Sequence, residues 1–418
     1  MRISWAWLTI VLVLALGGAG TWCATTWSAR RSKVEFHVSR GEAAAAQRRW
    51  GPAASELEAA IALDPTCVRA WLVLADVQFR QEQHLAALAS LSHVPSNSSQ
   101  GAAARLLEGT VLLKVGRASQ AETALGECLK LDSRSIEARR RLVFLFGIEL
   151  RRTDLRRTLW ELHALDAAGP TDLVLLSGST FIVWNAAEIM GTVEKFVASD
   201  AGDVFARVAL GRYRMRQSDL AGARQILQEA CRFAPDDPEA HVTLAECLID
   251  DNDLAPAAQL LNRIQNTWPQ DPRVEYCLAR IAESDDRTDT AIDHYRRSAA
   301  ADPDHRESHY RLGQLLLQSN RTSEAEPFLD RARKLAERET LLSTLVSSQD
   351  AAKYSPQIAR LEVELKHDRL ARAWYTEALR QNPTNESLKT EAAAFESKVI
   401  AEFEKPSTGM IDRDWRLP

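Results

Sequence analysis

The sequence lacks the short motifs that mark common chemistries. Its six cysteines are Cys23, Cys67, Cys128, Cys231, Cys247 and Cys277, and no two have C-x-x-C spacing. That spacing would be needed for a zinc ribbon or a dithiol redox centre. Most of these cysteines fall in helical stretches, where Cys acts as a small apolar filler, and no disulfide framework is expected. There is no G-x-S-x-G elbow and no G-x-x-x-x-G-K-[ST] phosphate loop, which excludes the α/β-hydrolase and P-loop NTPase signatures. His305 and His309 stand four apart but not in the H-E-x-x-H order, and they read as a turn into a helix rather than a zinc site. No catalytic residue, metal ligand or cofactor is expected. Basic charge is not in excess either. The formal net charge is -5, which argues against nucleic acid as a partner. The basic runs at 139–141 and 151–157 read as solvated helix faces.

What the chain does have is a period. From Val204 to Pro303 the same columns recur every 34 residues. Leu210, Leu244 and Leu278 align, each followed by a small residue: Gly211, Ala245, Ala279. Then come Ala223, Ala257 and Ala291, and four residues further Leu227, Leu261 and Tyr295. Each piece closes on a proline: Pro235, Pro269, Pro303. Small residues let the two helices of a hairpin approach closely, large ones fill the groove between hairpins, and the proline pushes the preceding residue out of helical space. One such hairpin cannot bury its apolar face alone, so several must stack.

A 34-residue unit of two helices resembles the tetratricopeptide repeat (TPR) family at these columns. The resemblance implies an all-α fold, a right-handed solenoid of stacked helix hairpins. It also implies use as a scaffold whose concave face, lined by first helices, holds a protein or peptide. The chaperone-binding type of TPR grips a carboxylate tail with lysines and asparagines. The corresponding columns here carry Val208, Arg212, Glu239 and Thr243, so that activity is not carried over.

Residues 3–27 are uncharged and apolar. In a helix they would span about 37 Å, enough for a hydrocarbon core of about 30 Å. Trp5 and Trp7 at one end and Trp22 and Trp27 at the other match interfacial belts. A cleaved signal peptide is the alternative. The run extends past the small residues at 15–17, so a single-pass N-terminal transmembrane anchor is expected, with residues 1–33 as anchor and linker. Which side of the membrane holds the rest stays open. This plan resembles the membrane-anchored TPR regulators of bacterial envelope assembly. That group can carry a C-terminal metal-binding C-x-x-C pair, and this chain has none.

After the linker the phase predicts repeats at 34–67, 68–101 and 102–135, two degenerate ones at 136–169 and 170–203, and strong ones over 204–339. In the degenerate pair Val143 breaks the small column, and Leu155 and Ile189 break the later one. Wider or tilted hairpins are expected there, or a break between two sub-arrays. Residues 340–351 read as an insertion that extends a helix or forms a short extra one. A last repeat and solvating helix follow at 352–404, with Ala392, Phe395 and Val399 facing inward, and then a flexible tail at 405–418.

Phase also assigns candidate partner-binding residues to the first-helix face. An apolar set comprises Leu106, Leu107, Leu113, Phe144, Val174, Leu175, Phe181, Ile182, Val208 and Met215. A charged set comprises Arg212, Arg216, Glu246, Arg280, Glu283 and Arg311. An apolar floor flanked by arginines suits an amphipathic or acidic-ended peptide. The alternative is that the apolar set merely packs the degenerate repeats. The functional expectation is a non-catalytic, membrane-anchored scaffold, the alternative being a substrate-recruiting or regulatory subunit of an envelope or secretion enzyme complex.

Overall fold

A computed structural model of the chain describes residues 27–178, 186–267 and 271–403. The expected anchor at 3–27 lies almost wholly outside the described residues, as do Phe181, Ile182 and the tail. Among the described residues no helix is long and apolar enough to cross a membrane. They are helical throughout, with no strand.

The helices pair into hairpins. Helix α1 covers residues 27–46, and α2 Trp50–Leu63, α3 Val68–Arg80, α4 His84–Leu91, α5 Gly101–Val115 and α6 Ala118–Leu131 follow. Next come α7 Ile136–Ile148, α8 Arg152–Ala164, α9 Pro170–Leu176 and α10 Ala186–Ser199. The strong repeats supply α11 Val204–Arg216, α12 Leu220–Phe233, α13 Pro238–Asp250, α14 Leu254–Thr267, α15 Pro272–Ser284, α16 Thr288–Ala301 and α17 Arg306–Gln318. The chain ends in α18 Thr322–Ser348, α19 Ala351–Glu364, α20 Asp368–Gln381 and α21 Glu386–Phe403. It divides into two compact units, Met1–Arg141 and Leu142–Pro418.

Starts and stops are local. Asp203, Asp219 and Asp237 each accept a hydrogen bond from a backbone N–H of the first helical turn, at Ala206, Gly222 and Ala240. Such a cap satisfies one of the donors a helix leaves open. Pro238 and Pro272 fill first-turn positions, where a missing N–H costs nothing. Helices α2, α12, α16 and α20 end two residues before Pro65, Pro235, Pro303 and Pro383. Between the helices of a hairpin one residue turns left-handed, at 48, 82, 116, 150, 218, 252, 286 and 320. That is the 34-residue period again, written in backbone angles. Only Gly116 is a glycine; Leu150 holds φ 58°, a conformation that costs a non-glycine residue roughly 1–2 kcal/mol.

The small column does what its spacing implies. A Cβ built on Gly109 would lie 2.6 Å from Leu125, and one on Gly211 would lie 2.6 Å from Leu227, sixteen residues on in each case. Where alanine replaces glycine, Ala75, Ala245 and Ala279 are fully buried, as are Leu91, Leu261 and Tyr295 opposite them. The core is therefore a series of small clusters at the hairpin junctions. Val38, Leu57 and Leu74 belong to one, and Ala279, Tyr295, Leu312 and Leu316 to another. Cys67, Cys128, Cys231, Cys247 and Cys277 are free thiols.

Two departures matter. Helix α9 has 7 residues, against 13 in the first helices α11, α13, α15 and α17. It stops at Ser177, and Gly178 follows at φ 83°. Helix α18 has 27 residues, against 14 in α12, α14 and α16. The insertion is thus a run-on of a second helix. The thirteen extra residues carry the last hairpin about 20 Å further along the helix axis. Leu335, at the end of the regular length, and Leu341, on the run-on, pack against Leu361 and Leu365. In α21, Ala392, Phe395 and Val399 are buried, and Phe395 lies 5.4 Å from the Tyr375 ring.

Ala245→Leu forces a larger side chain into a closed hairpin contact, and an unfolding loss of about 1–3 kcal/mol is expected. Gly126→Ala makes no contact within 4 Å at the new Cβ and should gain about 0.5–1 kcal/mol from helix propensity. Thermal and urea melts of both variants check this, and a neutral Ala245→Leu would disprove the column assignment.

Candidate functional site: the first-helix face

Side chains on the first helices meet those of the next repeat through ion pairs. Arg212 on α11 reaches Glu239 on α13 at 2.5 Å, and Arg273 on α15 reaches the same carboxylate at 2.8 Å. Arg280 pairs with Asp250 at 2.8 Å. Arg311 pairs with Glu283 at 2.7 Å, and Glu283 also accepts the Tyr295 hydroxyl at 2.8 Å. The first unit repeats the device with the same polarity as Arg273 and Glu239: Arg69 grips Glu42 through two bonds of 2.7 and 2.6 Å and reaches Glu35 at 2.7 Å. The face is a ladder of alternating charge.

Local electrostatics follow. The surrounding protein opposes ionisation of Glu239, but Arg212, Arg273 and Arg152 outweigh it and hold the carboxyl down at about 2. Glu246, on the same helix, shifts the other way: burial raises it despite Arg212 and Arg273. Arg152 of α8 stands among these groups. Burial lowers its guanidinium and Asp302 opposes this, while Arg156, Arg212 and Arg273 repel it.

The predicted charged set is on this face, but its arginines are not open clamps. Arg212, Arg280 and Arg311 are each taken by a carboxylate of a neighbouring repeat. Arg216 is exposed. The predicted apolar floor needs correction. Val174 is fully buried and Leu175 is 2% exposed, because α9 lies against α20 and α8; neither offers a surface to a partner. Leu106, Leu107 and Leu113 are half-buried and lie in the first unit, with Leu107 packed on Leu91 and Val94 and Leu113 on Leu112 and Ala121. Phe144 is 39% exposed, and Met215 is half-buried. His305 and His309 serve the turn. His305 Nδ1 accepts from the Ser308 backbone N–H at 3.2 Å, and His309 Nε2 lies 3.0 Å from the Pro303 carbonyl. No group of three His, Cys, Asp or Glu placed to hold a metal occurs among the described residues.

One constellation carries no sequence signal. His367, in the turn before α20, lies between two carboxylates: Nδ1 is 2.6 Å from Glu362 and Nε2 is 3.0 Å from Asp304. Arg338 reaches both, at 3.4 and 3.7 Å, and Arg331 reaches Asp304 at 3.2 Å. Glu362 is fully buried. Burial alone would lower His367, but its hydrogen bonds to Asp304 and Glu362 raise it to about 9. Asp304 is held far below the usual carboxylate range: burial opposes this, but the His367 bond and the charges of His367, Arg338 and Arg331 prevail. Only the fold brings residues 304, 338, 362 and 367 together.

Comparison with known proteins bears on the repeats alone. Two family profiles described as tetratricopeptide repeat match, one over residues 214–281 and 283–348 and the other over 38–102. No curated protein matches in sequence. Among solved structures, MamA from Desulfovibrio magneticus RS-1 is similar at 15% identity, over 40% of this chain and 95% of that one, with a TM-score of 0.31. A tetratricopeptide repeat protein from Parabacteroides merdae is 12% identical over 68% and 99%, with a TM-score of 0.31. A thermophilic TPR protein from Thermus thermophilus is 18% identical over 46% and 99%, with a TM-score of 0.29. At such scores the assignment rests on the profiles and the register, not on these neighbours. Over residues 38–102, 214–281 and 283–348, the chain is built of tetratricopeptide repeats.

Proposed function

We propose that the protein is a membrane-anchored, non-catalytic scaffold that holds a protein or peptide partner along its first-helix face. The ladder of inter-repeat ion pairs carries this reading. Its outer rungs are open to solvent: the Arg311 and Arg280 side chains are 49% and 30% exposed. Exposed pairs of this kind contribute about 0–1 kcal/mol each, so a partner's charges exchange into them at little cost. An alternating ladder suits a segment carrying both signs of charge, rather than the acid-ended peptide that free arginines would favour. Acidic and basic groups together on one face give no footing for a polyanion, so no nucleic-acid partner is proposed. The anchor rests on residues 3–27, whose uncharged length and flanking tryptophans suit a bilayer.

Two experiments test the reading. A photoreactive residue at Met215, on the face, should give a discrete adduct with a single partner species in cells. The same residue at Phe233, 53% exposed on α12, should give none. Arg280→Glu with Arg311→Glu should cut the Met215 adduct about tenfold, equivalent to about 1.4 kcal/mol. Equal adducts from both positions would refute the assigned face. Deleting residues 3–27 should move the protein from the membrane fraction to the soluble one; retention at the membrane would refute the anchor.

A further inference from the structure

The first helix of the repeat at 170–203 is not where the register puts it. In a regular stack the repeat at 136–169 touches the one after it, not the one after that. Here the end of α7 packs directly on α11. The Tyr213 hydroxyl donates to the Ile148 carbonyl at 3.0 Å. The Arg151 guanidinium lies 4.4 Å over the Phe146 ring and 4.1 Å over Phe205. Helix α9 has left the slot between them and lies against α20, some 200 residues later in the chain.

The seat it reaches is built for a contact. Leu173, Val174, Leu175 and Leu176 are all at most 3% exposed, so the last turn of this seven-residue helix is buried while Thr171 at its start is exposed. Ser177 Oγ approaches Glu362 Oε1 to 3.5 Å in the interior. Glu362 is the carboxylate already held by His367 and Arg338. Nearby, the Arg369 guanidinium lies 3.8 Å over the Trp160 ring of α8, a close cation–π approach. The run-on of α18 displaces the last hairpin and so determines what it meets.

We propose that α8 and α9 form an internal clasp: a first helix removed from the repeat array and seated on the terminal hairpin, so that the start of the second unit is fastened to its end. Releasing the clasp frees the two ends of the second unit from each other. The fastening has two parts, the Trp160–Arg369 contact and the seat around Glu362. Facing His367 in that seat are Asp304 from the α16–α17 turn, Arg331 and Arg338 from α18, and Glu362 from α19; Ser177 closes it from the end of α9.

Hydrogen exchange on the full chain tests the clasp without any partner. In Trp160→Ala, and separately in Arg369→Ala, amides of 170–176 and 368–381 should lose protection together, by tenfold or more. Those of 220–233 and 288–301 should stay unchanged. Arg369 is a surface residue, so its truncation leaves the fold intact even if the Trp160 variant melts. Exposure of one segment without the other, or no change in Arg369→Ala, overturns the proposal. The seat adds a pH signature. A histidine whose folded value is about 9 contributes stability that is complete below its unfolded value near 6.5 and lost as pH rises through about 9. Raising the pH from 7 to 9.5 should therefore lower the urea midpoint of the wild type, and His367→Gln should remove most of that slope. An equal slope in both proteins overturns the role given to the seat.

Discussion

The closeness of two helices within each hairpin governs the rest. A small residue at one column lets the second helix press a leucine or tyrosine against the first helix sixteen residues earlier, as Gly109 does for Leu125 and Ala279 for Tyr295. Once that distance is set, the turn must reverse in about three residues, and one of them goes left-handed. The next proline then ends the hairpin and starts the next. No large central core is needed, because each junction buries its own cluster. Stability is spread along the chain in increments, and a fault in one hairpin is felt mostly by its neighbours.

That economy leaves the first-helix surface free of packing duty, and charge occupies it. The pairs across repeats are of both polarities: Glu42 with Arg69 in the first unit, Arg212 with Glu239 in the second. Coulomb attraction between neighbours helps fix how one repeat sits on the next, while solvent keeps each pair weak. Where solvent is excluded the balance differs. Around His367 two carboxylates face three cationic side chains, and removing one partner would leave an unmatched charge in the interior, a costly state. The exposed ladder is suited to exchange and the enclosed cluster to permanence.

Most of the hairpin register was legible because it is set by neighbours in sequence. Gly211 and Leu227 announce a helix pair wherever they stand sixteen apart, and the slip between residues 320 and 366 equals the twelve residues singled out at 340–351. The nature of the insertion was open until the structure showed α18 running on. Burial of Val174 and Leu175 was not legible. Their phase says first-helix face, but that holds only if their helix stays in the array, and α9 does not. The engagement of Arg212, Arg280 and Arg311 was hidden for a related reason. Phase tells which way a side chain points, whereas its partner lies about thirty residues away on another element. The Asp304–Glu362–His367 cluster was least legible, since its members share no period.

The link between Ser177 and Glu362 spans 185 residues, whereas the hairpin contacts are local. Closing so long a loop is entropically slower than forming any hairpin. During synthesis from the amino end, α9 emerges long before α20 exists to receive it. For that interval four adjacent leucine and valine side chains, 173–176, have no seat. Their shelter is assembled last, so the nascent chain passes through a stage in which its most apolar short helix is available to whatever waits at the ribosome exit.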